Sequence, residues 1–174
     1  MRKKYNLFNI LIRYLILLAL VFSLTLVYKI LTPLTIYPTI FLLKLFYQVT
    51  YFNSIIVLNS KTIIQIIPAC IAGSAYLLLL ILNLSIAMNI RKRIKTILFS
   101  IALLLSLNIL RIFLLSILYH NSFTFFDITH KIFWYGLSTL FVILIWFYTV
   151  KKFKIKEIPI YTDLKYLLKK SRLS

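Results

Sequence analysis

The sequence predicts an all-α membrane protein with about four transmembrane helices, plus a short extracytoplasmic β-hairpin and an interfacial helix. Three observations support this fold class. Hydrophobic residues make up 62% of the 174 residues and charged residues only 14%, whereas soluble domains carry about 25% charged residues. Four apolar stretches are long enough to cross roughly 30 Å of hydrocarbon at about 1.5 Å per residue. The basic residues lie in short clusters between these stretches. We therefore expect residues 1–174 to form a single integral membrane domain.

The predicted spans cover residues 7–30, 69–90, 96–118 and 128–150. The charged start of the first, Arg2-Lys3-Lys4, resembles that of a signal peptide. However, the apolar stretch behind it is longer than a signal-peptide core, and no small-x-small cleavage site follows. We expect a retained helix.

The distribution of basic residues predicts the orientation. With the N-terminus inside, four of them lie at the inner end of the first span, four within 91–95 and eight in the tail 151–174. Sixteen of the 21 basic residues are then inside. Only four fall outside, namely Lys29, Lys44, Lys61 and Lys131. Because cytoplasmic loops carry such an excess, we expect a multi-pass cell-membrane protein with both termini cytoplasmic.

The outer segment, 31–68, contains two predicted features. Residues 34–47 follow Pro33, include Pro38 and are short for a span, which favours an interfacial or re-entrant helix. If they crossed instead, the 91–95 cluster would move outside. The β-branched runs 54–58 and 62–67 flank Asn59-Ser60-Lys61 and predict a β-hairpin. The tail 151–174 is basic and is expected to lie on the inner leaflet.

Composition excludes several kinds of site. The net charge of +18 would suit a nucleic-acid-binding protein, but its clustering between apolar stretches is typical of membrane proteins, so we expect no nucleic-acid partner. The chain has one cysteine, Cys70, which excludes an intramolecular disulfide and a multi-cysteine zinc site. With two histidines and three acidic residues, any chemistry depends on very few side chains.

Cys70 lies at the outer mouth of the second predicted span, just after Pro68-Ala69. A thiol in the first turn of a helix feels the positive end of the helix dipole, which favours the reactive thiolate. The alternative is a small buried side chain, the usual fate of a lone cysteine.

Arg111 lies within the third predicted span with no acidic residue nearby in sequence. An intramembrane arginine costs several kcal/mol unless it faces a polar interior, so it is a functional candidate by default. The alternative is snorkelling to the outer headgroups. Asn108 shares its helix face and could hold the guanidinium or bridge helices.

His130 opens the fourth predicted span at its outer end, three residues after Asp127. Asp127 could cap that helix or orient the imidazole. The other histidine, His120, is expected in an exposed loop, so we favour His130. Cys70, Arg111 and His130 thus lie on three spans near one face. They could serve as nucleophile, oxyanion donor and proton-transfer group of an acyl transfer.

These residues also resemble the motifs of a known family. Residues 66–73, Ile-Ile-Pro-Ala-Cys-Ile-Ala-Gly, resemble the cysteine motif of exosortases and archaeosortases. Residues 108–112, Asn-Ile-Leu-Arg-Ile, are similar to the family's Asn-x-x-Arg motif, and His130 resembles its following histidine. The resemblance covers about 54–150 and is strongest to the compact archaeal members. Many members have Cys-Ser-Gly where this chain has Cys-Ile-Ala-Gly.

The resemblance implies a membrane-embedded cysteine transpeptidase or protease without metal or cofactor. Its substrates would be secreted proteins that end in a short motif, a transmembrane helix and a basic tail. Cys70 would attack the scissile carbonyl, Arg111 would stabilise the oxyanion and His130 would protonate the leaving amine. An amine of a membrane lipid or surface component would then resolve the thioester.

Two other functions remain open from the residues alone. A small channel or transporter subunit could use Arg111 as a polar site, but the spans carry no continuous polar stripe. Another membrane acyltransferase could use His130 as its base. Both alternatives predict that Cys70 is dispensable.

Overall fold

The computed structural model describes residues 7–159 and 161–171. As predicted, this part is mostly helical with a small antiparallel sheet. The elements, in chain order, are α1 Leu7–Phe22, α2 Leu24–Lys44, β1 Val49–Phe52, β2 Ile55–Leu58, β3 Thr62–Gln65, α3 Pro68–Ile71, α4 Gly73–Leu84, α5 Ile90–His120, α6 Phe126–Ile132, a π-helical turn Phe133–Leu137, α7 Ser138–Lys152 and α8 Tyr161–Ser171.

Helix α5 is the longest element, and its neighbours α4 and α7 run antiparallel to it. Asn108 of α5 contacts the start of the α4 segment at Cys70, while Ser100 contacts Asn83 near its end. In the same way Arg111 meets the start of α7, and Phe99 packs on Tyr148 farther along it. The helices therefore form a bundle with two distinct ends.

The two ends differ in composition. At one end, which we call the sheet end, the β-sheet packs against the C-terminal ends of α2 and α5. The rings of Tyr47 and His120 lie 4.7 Å apart there. The other end, the basic end, contains Arg93 and the contact between Lys92 and the Lys154 carbonyl. A single buried cluster joins α2, the sheet, α3, α4, α5 and α7.

Segments near the two chain termini meet at the basic end. Arg13 of α1 donates a hydrogen bond to the carboxylate of Asp163 in α8 at 2.7 Å, and both side chains are buried. The predicted tail thus includes a helix, α8, which is tied back to the bundle by an ion pair.

Two helices of the described residues are long and apolar enough to cross a membrane, α2 and α5. The count becomes three if α6, the π-turn and α7 form one span across their 43° bend. The sequence predicted four. The difference arises because α1 ends early, and because α4 has 12 residues, which corresponds to only about 18 Å of rise.

The first predicted span and the interfacial helix have different boundaries in the structure. The chain breaks at Ser23, and α2 then continues through Pro33 and Pro38. The prediction of a separate helix at 34–47 was therefore wrong. Proline removes one backbone N–H from the helix, but packing against neighbouring helices tolerates that loss. Here α2 buries a stripe against the bundle that includes Ile36, Thr39 and Leu43.

The other predicted spans also shift. The second is interrupted at Ala72 and its helix ends at Leu84, so the connection to the third is formed by 85–89 rather than by the basic cluster. That cluster, 91–95, belongs to the first turns of α5. The fourth is divided into α6, the π-turn and α7.

The predicted β-hairpin is present as β2 and β3, and the sequence missed a third strand, β1. The strands form an antiparallel sheet in the order β1-β2-β3. Asn53 and Ser54, with φ of 45° and 67°, form the two-residue turn typical of tight hairpins. Ile56 and Leu58 of the central strand are fully buried and attach the sheet to the helices.

Candidate active site

Cys70 lies in the one-turn helix α3, Pro68–Ile71, whose C-cap residue is Ala72. Ala72 has φ 58° and ψ 35°, a left-handed conformation that disfavours non-glycine residues by about 1–2 kcal/mol. Cys70 was predicted in the first turn of a long helix, and this was wrong because the left-handed residue separates it from α4. A four-residue helix has only a small dipole, so the predicted effect of the dipole on the thiol is weaker than for a long helix.

Asn108 holds the end of this turn. Its Nδ2 atom donates hydrogen bonds to the carbonyl oxygens of Cys70 at 3.0 Å and Ile71 at 3.3 Å. Of the two predicted roles, bridging helices is the one observed, and it stabilises the left-handed turn that follows Cys70.

Gly73 allows this turn to approach α2 closely. A Cβ atom built at Gly73 would lie 2.6 Å from the ring of Tyr28, far inside normal contact distance. The absence of a side chain at position 73 therefore allows the start of α4 to pack directly against Tyr28 of α2.

Arg111 is 6% exposed and lies on α5, about one turn beyond Asn108. Its Nη1 atom donates to the Ser138 hydroxyl at 3.0 Å. Its Nε atom is buried without a partner, and no carboxylate pairs with it within the described residues. The guanidinium is therefore held inside the bundle with its charge uncompensated, rather than extended to the surface.

Ser138 is a site residue that the sequence analysis missed. Its hydroxyl accepts the Arg111 hydrogen bond and donates its own to the Phe133 carbonyl at 2.8 Å, across the π-turn. A serine inside an apolar stretch gives little indication of this role. The only indication in sequence is Gly136 two residues earlier, within the turn.

His130 lies in α6 and is half-buried between two aromatic rings. It stacks on Phe126 with centroids 5.6 Å apart and meets Trp134 edge-on at 5.7 Å. These two aromatic contacts orient the plane of the imidazole.

Asp127 and His120 lie elsewhere than predicted. Asp127 is exposed, Phe125 rather than Asp127 is the N-cap residue of α6, and no hydrogen bond joins Asp127 to His130 among the described residues. His120 is not in a loop. It ends α5, and its Nδ1 atom lies 2.8 Å from the Thr62 hydroxyl, so it attaches α5 to the sheet. Both residues line a separate, wider cavity toward Lys61.

Cys70, Arg111 and His130 line one cavity of about 240 Å³ at the sheet end. Its walls are residues 63–66, the α5 face from Arg111 to Tyr119, and Phe126 of α6. The structure thus brings together the three residues singled out by sequence, and it leaves His120 outside.

The cavity brings together three side chains of different chemical types. It combines a thiol, an imidazole and a fixed cation, the groups needed for nucleophilic attack, proton transfer and stabilisation of an oxyanion. In the described part of the chain, no cluster of three or more histidine, cysteine or acidic residues could hold a metal ion.

Comparison with known proteins adds no relative. No protein-family model matches the chain, and neither the curated proteins nor the solved structures include a match. The resemblance to exosortases and archaeosortases therefore remains a hypothesis that rests on the motif residues around Cys70, Asn108, Arg111 and His130.

Proposed function

We propose that this protein is a membrane-embedded cysteine transpeptidase or protease that cleaves the C-terminal sorting signals of secreted proteins. The observation that carries the proposal is the shared cavity of Cys70, Arg111 and His130. Three residue types with complementary roles, remote in sequence, line this one cavity. The motif resemblance supports the same reaction class.

The proposed reaction begins with attack of the Cys70 thiolate on the scissile carbonyl, with His130 holding the thiol proton. A bond forms between Sγ and the carbonyl carbon, and the oxygen becomes an oxyanion. When the intermediate collapses, the carbon–nitrogen bond breaks and His130 gives its proton to the leaving amine. An acceptor amine then attacks the thioester, its proton passes to His130, and Cys70 leaves as thiolate. Water in place of the amine gives hydrolysis.

Arg111 is suited to the oxyanion because its charge has no carboxylate partner among the described residues. Negative charge that develops on the substrate oxygen would provide that partner. Interactions that strengthen only as charge develops stabilise the transition state more than bound substrate, and therefore accelerate the chemical step.

The proposed setting is the outer face of the cell membrane. Placing the basic end in the cytoplasm follows the excess of basic residues there, and both termini would then be cytoplasmic. The sheet end and its cavity would be extracytoplasmic, where secreted substrates with a motif, a helix and a basic tail arrive. A membrane lipid is the proposed acceptor.

The test uses cells that express matched amounts of the wild type and of Cys70→Ala, and it follows secreted proteins that end in an apolar helix and basic residues. We expect Cys70→Ala to accumulate normally and to leave these C-termini uncleaved. The intact mass of the secreted proteins measures the cleavage. His130→Ala should fail similarly, whereas His120→Ala, which changes the histidine outside the cavity, should process normally. Processing by a stable Cys70→Ala variant would refute the cysteine mechanism and favour a channel or transporter subunit that uses Arg111 alone.

A further inference from the structure

Strand β3 has an edge with no neighbouring strand, since it is last in the order β1-β2-β3. The register of the sheet determines which backbone N–H and C=O groups of β3 face this edge. Ile66 donates to the carbonyl of Ser54, the residue directly opposite. In an antiparallel pair such bonded positions alternate, so Ile64 and Thr62 also bond to β2. The N–H and C=O groups of Ile63 and Gln65 therefore point away from β2, toward the open edge.

These outward backbone groups are unsatisfied by the protein. Within the described residues, neither Ile63 nor Gln65 makes a hydrogen bond with another backbone group at that edge or with a side chain. Both residues line the cavity that contains Cys70, and both side chains are exposed. An open strand edge is a template for pairing with another chain, and this one leads directly to the candidate nucleophile.

We propose that the substrate segment preceding the scissile bond binds in extended conformation along β3, as a fourth strand of the sheet. This inference rests on the proposed function. The hydrogen-bonding groups of the edge identify a peptide as the ligand. Alternating N–H and C=O groups match the backbone of an extended peptide, whereas they match neither an anion nor an acyl chain. Two outward residues provide up to four main-chain hydrogen bonds.

The direction of the bound strand follows from the position of Cys70. Strand β3 runs toward Cys70 through Ile66 and Pro68. The bound substrate segment ends with the residue that carries the scissile carbonyl, and this residue must lie at Cys70. The substrate segment therefore also runs toward Cys70. The substrate strand is therefore parallel to β3. The opposite wall is formed by Ile112 and Leu115 of α5, so the substrate side chain that faces it is apolar.

Peptidyl chloromethyl ketones test this binding mode without a known substrate. Cys70 displaces chloride to form a carbon–sulfur bond, and the thiol proton passes to His130 or solvent. Chloromethyl ketones also alkylate histidine, so tandem mass spectrometry of the labelled full-length protein from detergent micelles assigns the adduct to Cys70, the only cysteine. The probes are acetyl-Ala-Ala-Ala-chloromethyl ketone, its single-alanine counterpart, and the three-residue probe with methylated amide nitrogens.

We expect the three-residue probe to label Cys70 at least about tenfold faster than the single-alanine probe, because each added main-chain hydrogen bond contributes roughly two- to tenfold. Methylation of its amides should remove that gain. This comparison uses the wild-type protein and so does not depend on the folding of any variant. Equal rates for all three probes, or no labelling by any of them, would overturn strand addition.

Proline variants provide the matched control. Gln65→Pro removes an N–H that points to the open edge, a change that edge strands accept, and it should reduce the rate advantage by roughly two- to tenfold, the contribution of one hydrogen bond. Tyr51→Pro makes the same change at the outer edge of β1, since Gln48 and Asn59 form a bonded pair there, and it should preserve the advantage. Equal loss in both variants would count against the proposal. The ratio of labelling rates requires no turnover, so it can fail while the Cys70→Ala test succeeds, and the reverse also holds.

Discussion

Two arginines are buried in the helix bundle, and they are held in opposite ways. Arg13 at the basic end is 8% exposed and Arg111 at the sheet end is 6% exposed. Arg13 donates to the Asp163 carboxylate at 2.7 Å, whereas the partner of Arg111 among the described residues is the neutral hydroxyl of Ser138. The same side chain with the same burial is thus neutralised at one end and left charged at the other.

The difference between the two arginines concerns how each buried charge is compensated. The sequence contains only three acidic residues, and one of them is used to neutralise Arg13. A buried charge without a partner is strongly unfavourable. Asp163 compensates the charge of Arg13, whereas under the proposed function the charge of Arg111 is compensated when negative charge develops on the substrate oxygen.

The largest expected effect concerns the basic end. Asp163→Leu leaves Arg13 buried without its partner and should lower the free energy of unfolding by about 3–5 kcal/mol. The double variant with Arg13→Met removes both charges and should unfold near the wild-type midpoint. Thermal unfolding in detergent micelles measures both. A double variant as unstable as the single one would show that the pair contributes more than neutralisation.

Arg111→Lys should have the opposite profile, with stability nearly unchanged and turnover reduced by about 10²–10³-fold. Lysine keeps the charge but lacks the planar fork of donors that reaches Ser138 and an oxyanion together. The ratio of processed to unprocessed substrate at matched protein abundance measures the effect. Near-normal processing would exclude the oxyanion role and leave Arg111 as a residue that merely anchors the helix.

Ser138→Ala should produce a smaller loss, about tenfold in turnover, because it removes the hydroxyl that orients Arg111 while the charge remains. Ser138→Thr keeps the hydroxyl and should restore most of the activity. Substrate KM should change little in either variant, since the defect lies in placing a group that acts as charge develops. An alanine variant with a raised KM and an unchanged kcat would indicate that Ser138 contributes to substrate binding.

The grouping of the site residues could be predicted from sequence because each of the three lies toward the same predicted face of the membrane. A chain that reverses direction between long apolar helices returns its helix ends to the same level, so Cys70, Arg111 and His130 fall near one end of the bundle. Strand β1 was also within reach, since Val49–Phe52 is β-branched and aromatic and precedes an Asn-Ser turn.

Other features depended on tertiary contacts that no local pattern records. The left-handed Ala72 is held by Asn108 from another helix, so the sequence around it suggests an unbroken helix. Helix α2 passes through two prolines because of its packing. The position of His120 is set by Thr62, which lies 58 residues away. Arg111 could be singled out from the sequence because a charged residue within an apolar stretch is unusual. Its partner Ser138 could not be predicted.

The π-turn at Phe133–Leu137 has a consequence for how such a site can arise. A π-turn contains one more residue than the α-turn it replaces, and one residue corresponds to about 100° of rotation around a helix axis. His130 and Ser138 lie on opposite sides of this turn, so the additional residue determines which way the imidazole points relative to the anchor of Arg111. Removing one residue from this turn would therefore rotate His130 by about 100° relative to Ser138, although every side chain of the site would still be present in the sequence.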